Sequence, residues 1–343
     1  MKRITVKDIA SDLSIAQSTV SKALDMKSRG VSKEMREQVL SAAARLGYKA
    51  NRSAQALARN PIKIGIIIPS VSPTYYDLIE QGMKVALLPL QDHNFTAEFK
   101  KFSNHKCEDE LKHILDYYVE KKVNAVILCP AYNTGICSYL SILHENNIKL
   151  IFVGTDLPNS ERLTCVRVDG YKAGRMAAGF VSLIVHENKR IAMFIGNKDM
   201  QEHNEKYLGF RDEISKTDCL LEGVYETQDE PEIAYHLTKK IIKEVPDLGA
   251  IYVATGTSIA VCKCLIDHGL TTKIKVVATD VFPELKEYVD QGIIQGLIFQ
   301  DPRKMGEKSI RILYENLIEG KLVEERNYIK PQLILQSNIE DYL

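Results

Sequence analysis

Gln17 carries a primary amide that can grip an adenine edge through two hydrogen bonds, and the residues around it are hydroxyls and cations. Ser18 is a less selective partner for a base, and Ala16 offers only a methyl contact. Thr19, Ser21, Lys22 and Arg29 suit phosphate oxygens, which would fix register on a duplex without reading its sequence. This is the chemistry of recognition and not of turnover. Charge supports it: residues 1–60 hold 12 Lys/Arg against 5 Asp/Glu, and the remaining residues 33 against 40, so a formal net charge of zero hides a +7 head and a −7 body. A basic head seeks a polyphosphate, and an acidic body is kept from clinging to it.

Other chemistries find little support. The seven cysteines (Cys107, Cys129, Cys137, Cys165, Cys219, Cys262 and Cys264) form an odd set without disulfide-scaffold or zinc spacing, so reduced and mostly buried thiols are expected, with no metal and no cofactor. The run Gly65-Ile66-Ile67-Ile68-Pro69 is neither a dinucleotide turn nor a phosphate loop. Metalloprotease and nucleophile-elbow patterns are missing too, and a non-enzyme is expected. No apolar stretch follows Met1-Lys2-Arg3, and no run reaches membrane-spanning length, so the expected compartment is the cytoplasm.

The elements that must position Gln17 follow from capping and periodicity. Thr5 with Asp8 forms a capping box for a helix over 6–13, whose apolar face is Ile9, Ala10 and Leu13. A tight turn at Ser14-Ile15 leads to a second helix over 17–24 that turns Val20, Ala23 and Leu24 inward. A third begins after Ser32, buries Met35, Val39, Ala43 and Leu46, and stops at Gly47. Residues 1–50 thus make a three-helix helix-turn-helix unit, whose second helix enters a major groove by its N-terminal residues Ala16, Gln17 and Ser18.

The segments Thr5-Val6-Lys7-Asp8-Ile9-Ala10, Ser14 to Leu24 and Asn51 to Arg59 resemble the lactose/galactose repressor (LacI/GalR) family. The resemblance implies a homodimer on a pseudo-palindromic operator. It also implies a hinge helix over 51–60 that folds in pairs on DNA and drives Leu57 into the minor groove as a wedge, with Thr5, Asn51 and Ala54 also at the interface. For the free protein the alternative is a structureless linker ended by Asn60-Pro61. Ser14 stands where the family commonly has glycine, at a cost on the order of 1 kcal/mol in a left-handed turn.

From Ile62 onward short apolar runs alternate with helical stretches: 62–69, 95–102, 125–129, 150–155, 190–195, 221–226, 250–254, 275–279 and 296–299. That alternation predicts an α/β core of two doubly wound parallel sheets, with a ligand at strand C-terminal ends between two lobes. The patches Pro73-Thr74-Tyr75-Tyr76, Asp169 with Ala173-Gly174-Arg175, Leu208-Gly209-Phe210, Ala278-Thr279-Asp280, and Gln300 with Gly306 make residues 61–343 similar to periplasmic sugar-binding proteins of the first type. The resemblance implies one lobe of about 62–163 and 292–322, and another of about 164–291 and 323–343. It assigns ligand contacts to Tyr75, Tyr76, Asn133, Asp156, Lys206, Asp280 and Gln300. Aromatic faces with short acceptors suit a neutral polyol, because each buried hydroxyl demands a partner. Asp156 and Lys206 are equally compatible with surface ion pairing. His203 reads as a polar residue at a helix start and Arg175 as structural. Lys206 stands where relatives usually carry arginine, and Gly256 where they often have asparagine, which leaves phosphorylated or acidic ligands open.

The expectation is a sequence-specific transcriptional regulator, a repressor, that binds double-stranded DNA and is controlled allosterically by a small carbohydrate between the lobes. The alternative is a cytosolic sugar-binding protein or an enzyme on the same bilobed fold.

Overall fold

Asp8 folds back on Thr5 to start the first helix: its Oδ2 accepts from the Thr5 backbone N–H and from the Thr5 hydroxyl, both at 2.7 Å. That helix, α1 (Val6–Asp12), opens a computed structural model that describes residues 4–24, 30–48, 61–70, 73–103, 108–130, 135–157 and 159–343. Arg29, Asn51, Ala54, Leu57, Cys107 and Asn133 lie outside the described residues, as does the segment 51–60 expected to form a hinge helix. Ser14 takes the left-handed conformation, φ +54, so the turn forms without glycine. It leads to α2 (Gln17–Leu24) and α3 (Lys33–Leu46), the latter capped by Ser32 Oγ on the Met35 N–H at 3.2 Å and ended by Gly47 at φ +69. Ile9, Ala10, Val20, Ala23, Val39, Ala42 and Ala43 form the core of this unit. Arg36 ties α3 to the end of α2 through the Ala23 carbonyl at 2.8 Å.

The chain divides into compact units at Asn60/Pro61. In the second unit, strand β1 (Ile62–Pro69) sets the pattern: Ile64, Ile66 and Ile68 face one core and Ile67 the other, because successive side chains alternate across a sheet buried on both sides. It lies between β2 (Phe95–Phe102) and β3 (Ala125–Leu128), and β4 (Lys149–Val153), β5 (Thr164–Val168) and β11 (Arg326–Ile329) complete an all-parallel sheet in the order β11-β5-β4-β3-β1-β2. Helices α4 (Pro73–Leu87) and α12 (Pro302–Tyr314) cover one face, and α5 (Glu108–Glu120) and α6 (Ser141–Glu145) the other. The second sheet has the order β12-β10-β9-β8-β6-β7, from β6 (Arg190–Ile195), β7 (Leu220–Glu226), β8 (Leu248–Val253), β9 (Lys275–Thr279), β10 (Ile294–Phe299) and an antiparallel edge strand β12 (Gln332–Ile334). Helices α7 (Gly170–Ile184) and α8 (Gln201–Ile214) pack on one face, α9 (Pro231–Glu244) and α10 (Ser258–Asp267) on the other, and the short α11 (Lys286–Asp290) precedes β10.

Both expected lobe boundaries need correction. Thr164–Val168, expected in the second lobe, hydrogen-bonds between β4 and β11 in the first sheet. Ile294–Phe299, expected in the first lobe, pairs with β9 in the second. The crossings therefore follow β5, β10 and β11, giving lobe 1 as about 62–168 with 302–329 and lobe 2 as about 170–299 with 332–343. The physical reason is strand β5: Arg167 interrupts its apolar run, yet that side chain is fully buried because Glu205 of lobe 2 receives it in a fork at 2.5 and 2.8 Å.

Candidate ligand cleft and nucleic-acid interface

Helix α2 turns Val20 and Ala23 into the core, which leaves Ala16, Gln17, Ser18, Ser21 and Lys22 exposed and Thr19 half-buried. The groups proposed to touch bases and phosphate thus share the outer face and N-terminal end of one helix. Thr5 lies at the N-cap of α1 with its hydroxyl committed to Asp8.

In the body, a cavity of about 500 Å³ separates two unlike walls. Lobe 1 supplies the first turn of α4, where the Tyr75 and Tyr76 rings meet edge to face with centroids 5.2 Å apart. Lobe 2 supplies strand ends and the start of α8: Glu202, His203, Lys206, Asp229, Thr255, Asp280, Phe282 and Gln300. Two close helix crossings set these walls. A Cβ at Gly306 would lie 2.1 Å from the Ile79 carbonyl oxygen, and one at Gly174 would lie 2.0 Å from the carbonyl oxygen of Lys206 itself. Small residues there let α12 approach α4 and α7 approach α8.

Asp280 follows β9 with φ +64, a left-handed conformation that aspartate tolerates better than most residues other than glycine. Its carboxylate is held by Gln300, whose backbone N–H donates at 3.0 Å and whose side-chain Nε2 donates at 2.6 Å. Burial outweighs those bonds and the nearby Lys206, pushing the Asp280 carboxyl up to about 6. The Gln300 Oε1 is buried and has no partner, so it requires a donor from whatever enters the cleft. Lys206 is 1% exposed, contacts Glu202 at 2.6 Å and donates to the Ala254 carbonyl at 3.3 Å. Burial works against its charge, but the attraction of Glu202 prevails and its pKa is raised. His203 accepts the Asn197 N–H on Nδ1 at 3.0 Å, and burial pushes its pKa down, so it is neutral at pH 7. The Thr255 hydroxyl donates to Asp229.

Tyr75, Tyr76, Lys206, Asp280 and Gln300 are therefore brought together in one cavity. Asp156 is a correction: it does not line the cavity, and it pairs with Arg162 at 2.6 Å inside lobe 1, a buried ion pair and not the surface pair that was the alternative. Arg175 pairs with Glu213 at 2.6 Å and does not line the cavity. His203 stands in the first turn of α8, a helix start as expected, but it is buried and lines the cleft, because Gly196 leaves room for its ring; a Cβ there would lie 2.4 Å from His203 Cε1. Sequence reasoning missed Glu202, Asp229 and Thr255. The signal for Glu202 was its i,i+4 spacing to Lys206, which is also the spacing of ordinary surface pairs. Among the described residues, no group of three or more His, Cys, Asp or Glu is placed to hold a metal ion, and the six described cysteines are free. No helix among the described residues is long and apolar enough to cross a membrane.

Comparison with known proteins bears on both units. Residues 64–322 match the periplasmic binding protein domain, and residues 5–51 match bacterial regulatory proteins of the lacI family. The HTH-type transcriptional repressor PurR of Histophilus somni is 22% identical over 356 residues, covering 98% of this chain and 99% of the relative. Catabolite control protein A of Priestia megaterium is 23% identical over 260 residues, 74% of each chain. Among solved structures, GanP, a glucose-galactose binding protein from Geobacillus stearothermophilus, superposes with a TM-score of 0.71 at 22% identity, covering 82% of this chain and 99% of that one. A solute-binding protein of Burkholderia graminis in complex with D-arabinose reaches 0.74 at 18% identity, covering 82% and 97%. The chain belongs to the lacI family of bacterial regulatory proteins, with a periplasmic-binding-protein domain as its body.

Proposed function

We propose that this protein is a homodimeric, cytoplasmic transcriptional repressor whose operator affinity is set by a carbohydrate held between the two lobes of its body. The carrying observation is the pairing of walls: tyrosine rings on one side, and on the other a buried carboxylate, an ammonium and an amide oxygen that lacks a donor. A sugar ring offers a C–H face to the first and hydroxyls to the second. Relatives named as repressors, and a fold shared with proteins solved with sugars, agree with this reading. Ligand binding works on DNA only through a difference in affinity between two arrangements of the lobes.

The non-enzymatic reading is supported by relatives named as transcriptional repressors and by the match to bacterial regulatory proteins. The test is selection from a random duplex library, followed by titration of the enriched DNA with a panel of neutral hexoses and pentoses. Enrichment of a pseudo-palindrome whose affinity shifts with one sugar is expected. Failure to enrich any sequence, or an affinity indifferent to every sugar that binds, overturns the reading.

A further inference from the structure

Lys206 stands where an anionic ligand would seek its counter-charge, and its charge is already taken. Glu202, one helical turn earlier and 7% exposed, meets its ammonium at 2.6 Å, and the Ala254 carbonyl accepts a further hydrogen bond. Around this pair the described lining holds Glu202, Asp229, Asp280 and Glu284 against Lys206, a formal −3 once His203 is neutral. The orphaned Gln300 Oε1 is likewise an acceptor, and a phosphate or carboxylate oxygen cannot satisfy it. We infer that Glu202 sets the charge specificity of the cleft: by consuming Lys206 it excludes phosphorylated and carboxylated sugars, and the effector is a polyol without an anionic group. The word polyol rests on the proposed function; the exclusion of anions rests on the ion pair and on the acidic, acceptor-rich lining around it.

Like charge placed in a desolvated cleft repels strongly, and a paired ammonium offers little compensation. Glu202→Gln keeps the length and the acceptor oxygen that Lys206 requires while releasing its charge. The experiment is calorimetric titration of the full chain and of this variant with inorganic phosphate, a neutral hexose, the corresponding hexose 6-phosphate and an aldonate. The wild-type protein is expected to bind neither phosphate, hexose 6-phosphate nor aldonate measurably. The variant should gain affinity for inorganic phosphate and hexose 6-phosphate by roughly tenfold or more, weakening with salt. Equal phosphate affinity in the two proteins, including none in either, overturns the inference. Tighter wild-type binding of hexose 6-phosphate or aldonate than of hexose overturns it without any variant, so poor folding of the variant cannot shelter it. A panel in which no sugar binds but phosphate binding still appears with Glu202→Gln leaves the exclusion standing and removes the polyol reading.

Discussion

The two walls of the cleft are built in opposite ways. Lobe 1 contributes aromatic surface from one helical turn, with Tyr75 hydrogen-bonded only weakly, to Met305 Sδ at 3.6 Å. Lobe 2 contributes charge and amide groups from several strand ends, each tied to a neighbour: Asp280 to Gln300, Lys206 to Glu202, Thr255 to Asp229. A wall of rings needs little orientation and can close onto a sugar face, whereas a wall of buried polar groups must be assembled beforehand, because any member left unpaired is costly. Lobe 2 is therefore the specifying wall and lobe 1 the covering one.

Substitutions can break or sharpen this contrast, and the largest effect belongs to the charged wall. Lys206→Met should destabilise the body by about 3–5 kcal/mol in urea denaturation, since it strands Glu202 as a buried carboxylate. Gly174→Ala should cost about 1–3 kcal/mol and also weaken sugar binding, because its Cβ would collide with the backbone that carries Lys206. A purely local effect with unchanged sugar affinity would show that the α7–α8 crossing does not set the cleft.

Asp280→Asn should do the reverse to stability. The folded carboxyl titrates near 6 against an ordinary 3.8, so between those values the folded state binds more protons, and the stability Asp280 contributes falls as pH rises through that window. The asparagine variant should match wild type near pH 3 and exceed it by about 3 kcal/mol above pH 7. A rotation of the Gln300 amide would re-pair both side chains. The same variant should bind sugar more weakly, which marks Asp280 as a charge kept for the ligand. Smallest of all, Tyr75→Phe should change stability by less than about 0.5 kcal/mol, because a hydroxyl on sulfur is a weak pair, and it should leave sugar binding nearly intact, while Tyr75→Ala should not.

Much of this was legible in the sequence, and what was not has definite causes. Capping residues delimited the three N-terminal helices almost to the residue, since Ser32, Gly47 and the Thr5–Asp8 pair act locally. Strands with continuous apolar runs were equally plain. Strand β5 was hidden by Arg167, and β11 and β12 by their brevity and polar composition, and with them went the lobe crossings. In the cleft, Asp280 and Gln300 were assigned through the resemblance to sugar-binding proteins, whereas Asp229 and Thr255, which also follow strand ends, were missed because many residues there do not face the cavity. Glu202 and His203 could not be placed in it, because only the tertiary structure reveals that the first turn of α8 is buried.

Operator affinity, measured by fluorescence anisotropy at fixed salt with and without a sugar that binds, tests the account most directly. For the wild-type chain a shift of roughly 5–150-fold is predicted, the ordinary range of coupling between two sites, and for Asp280→Ala no shift at the same sugar concentration with basal operator affinity retained. An unchanged wild-type affinity when the sugar is bound, or a full response in Asp280→Ala, would contradict it.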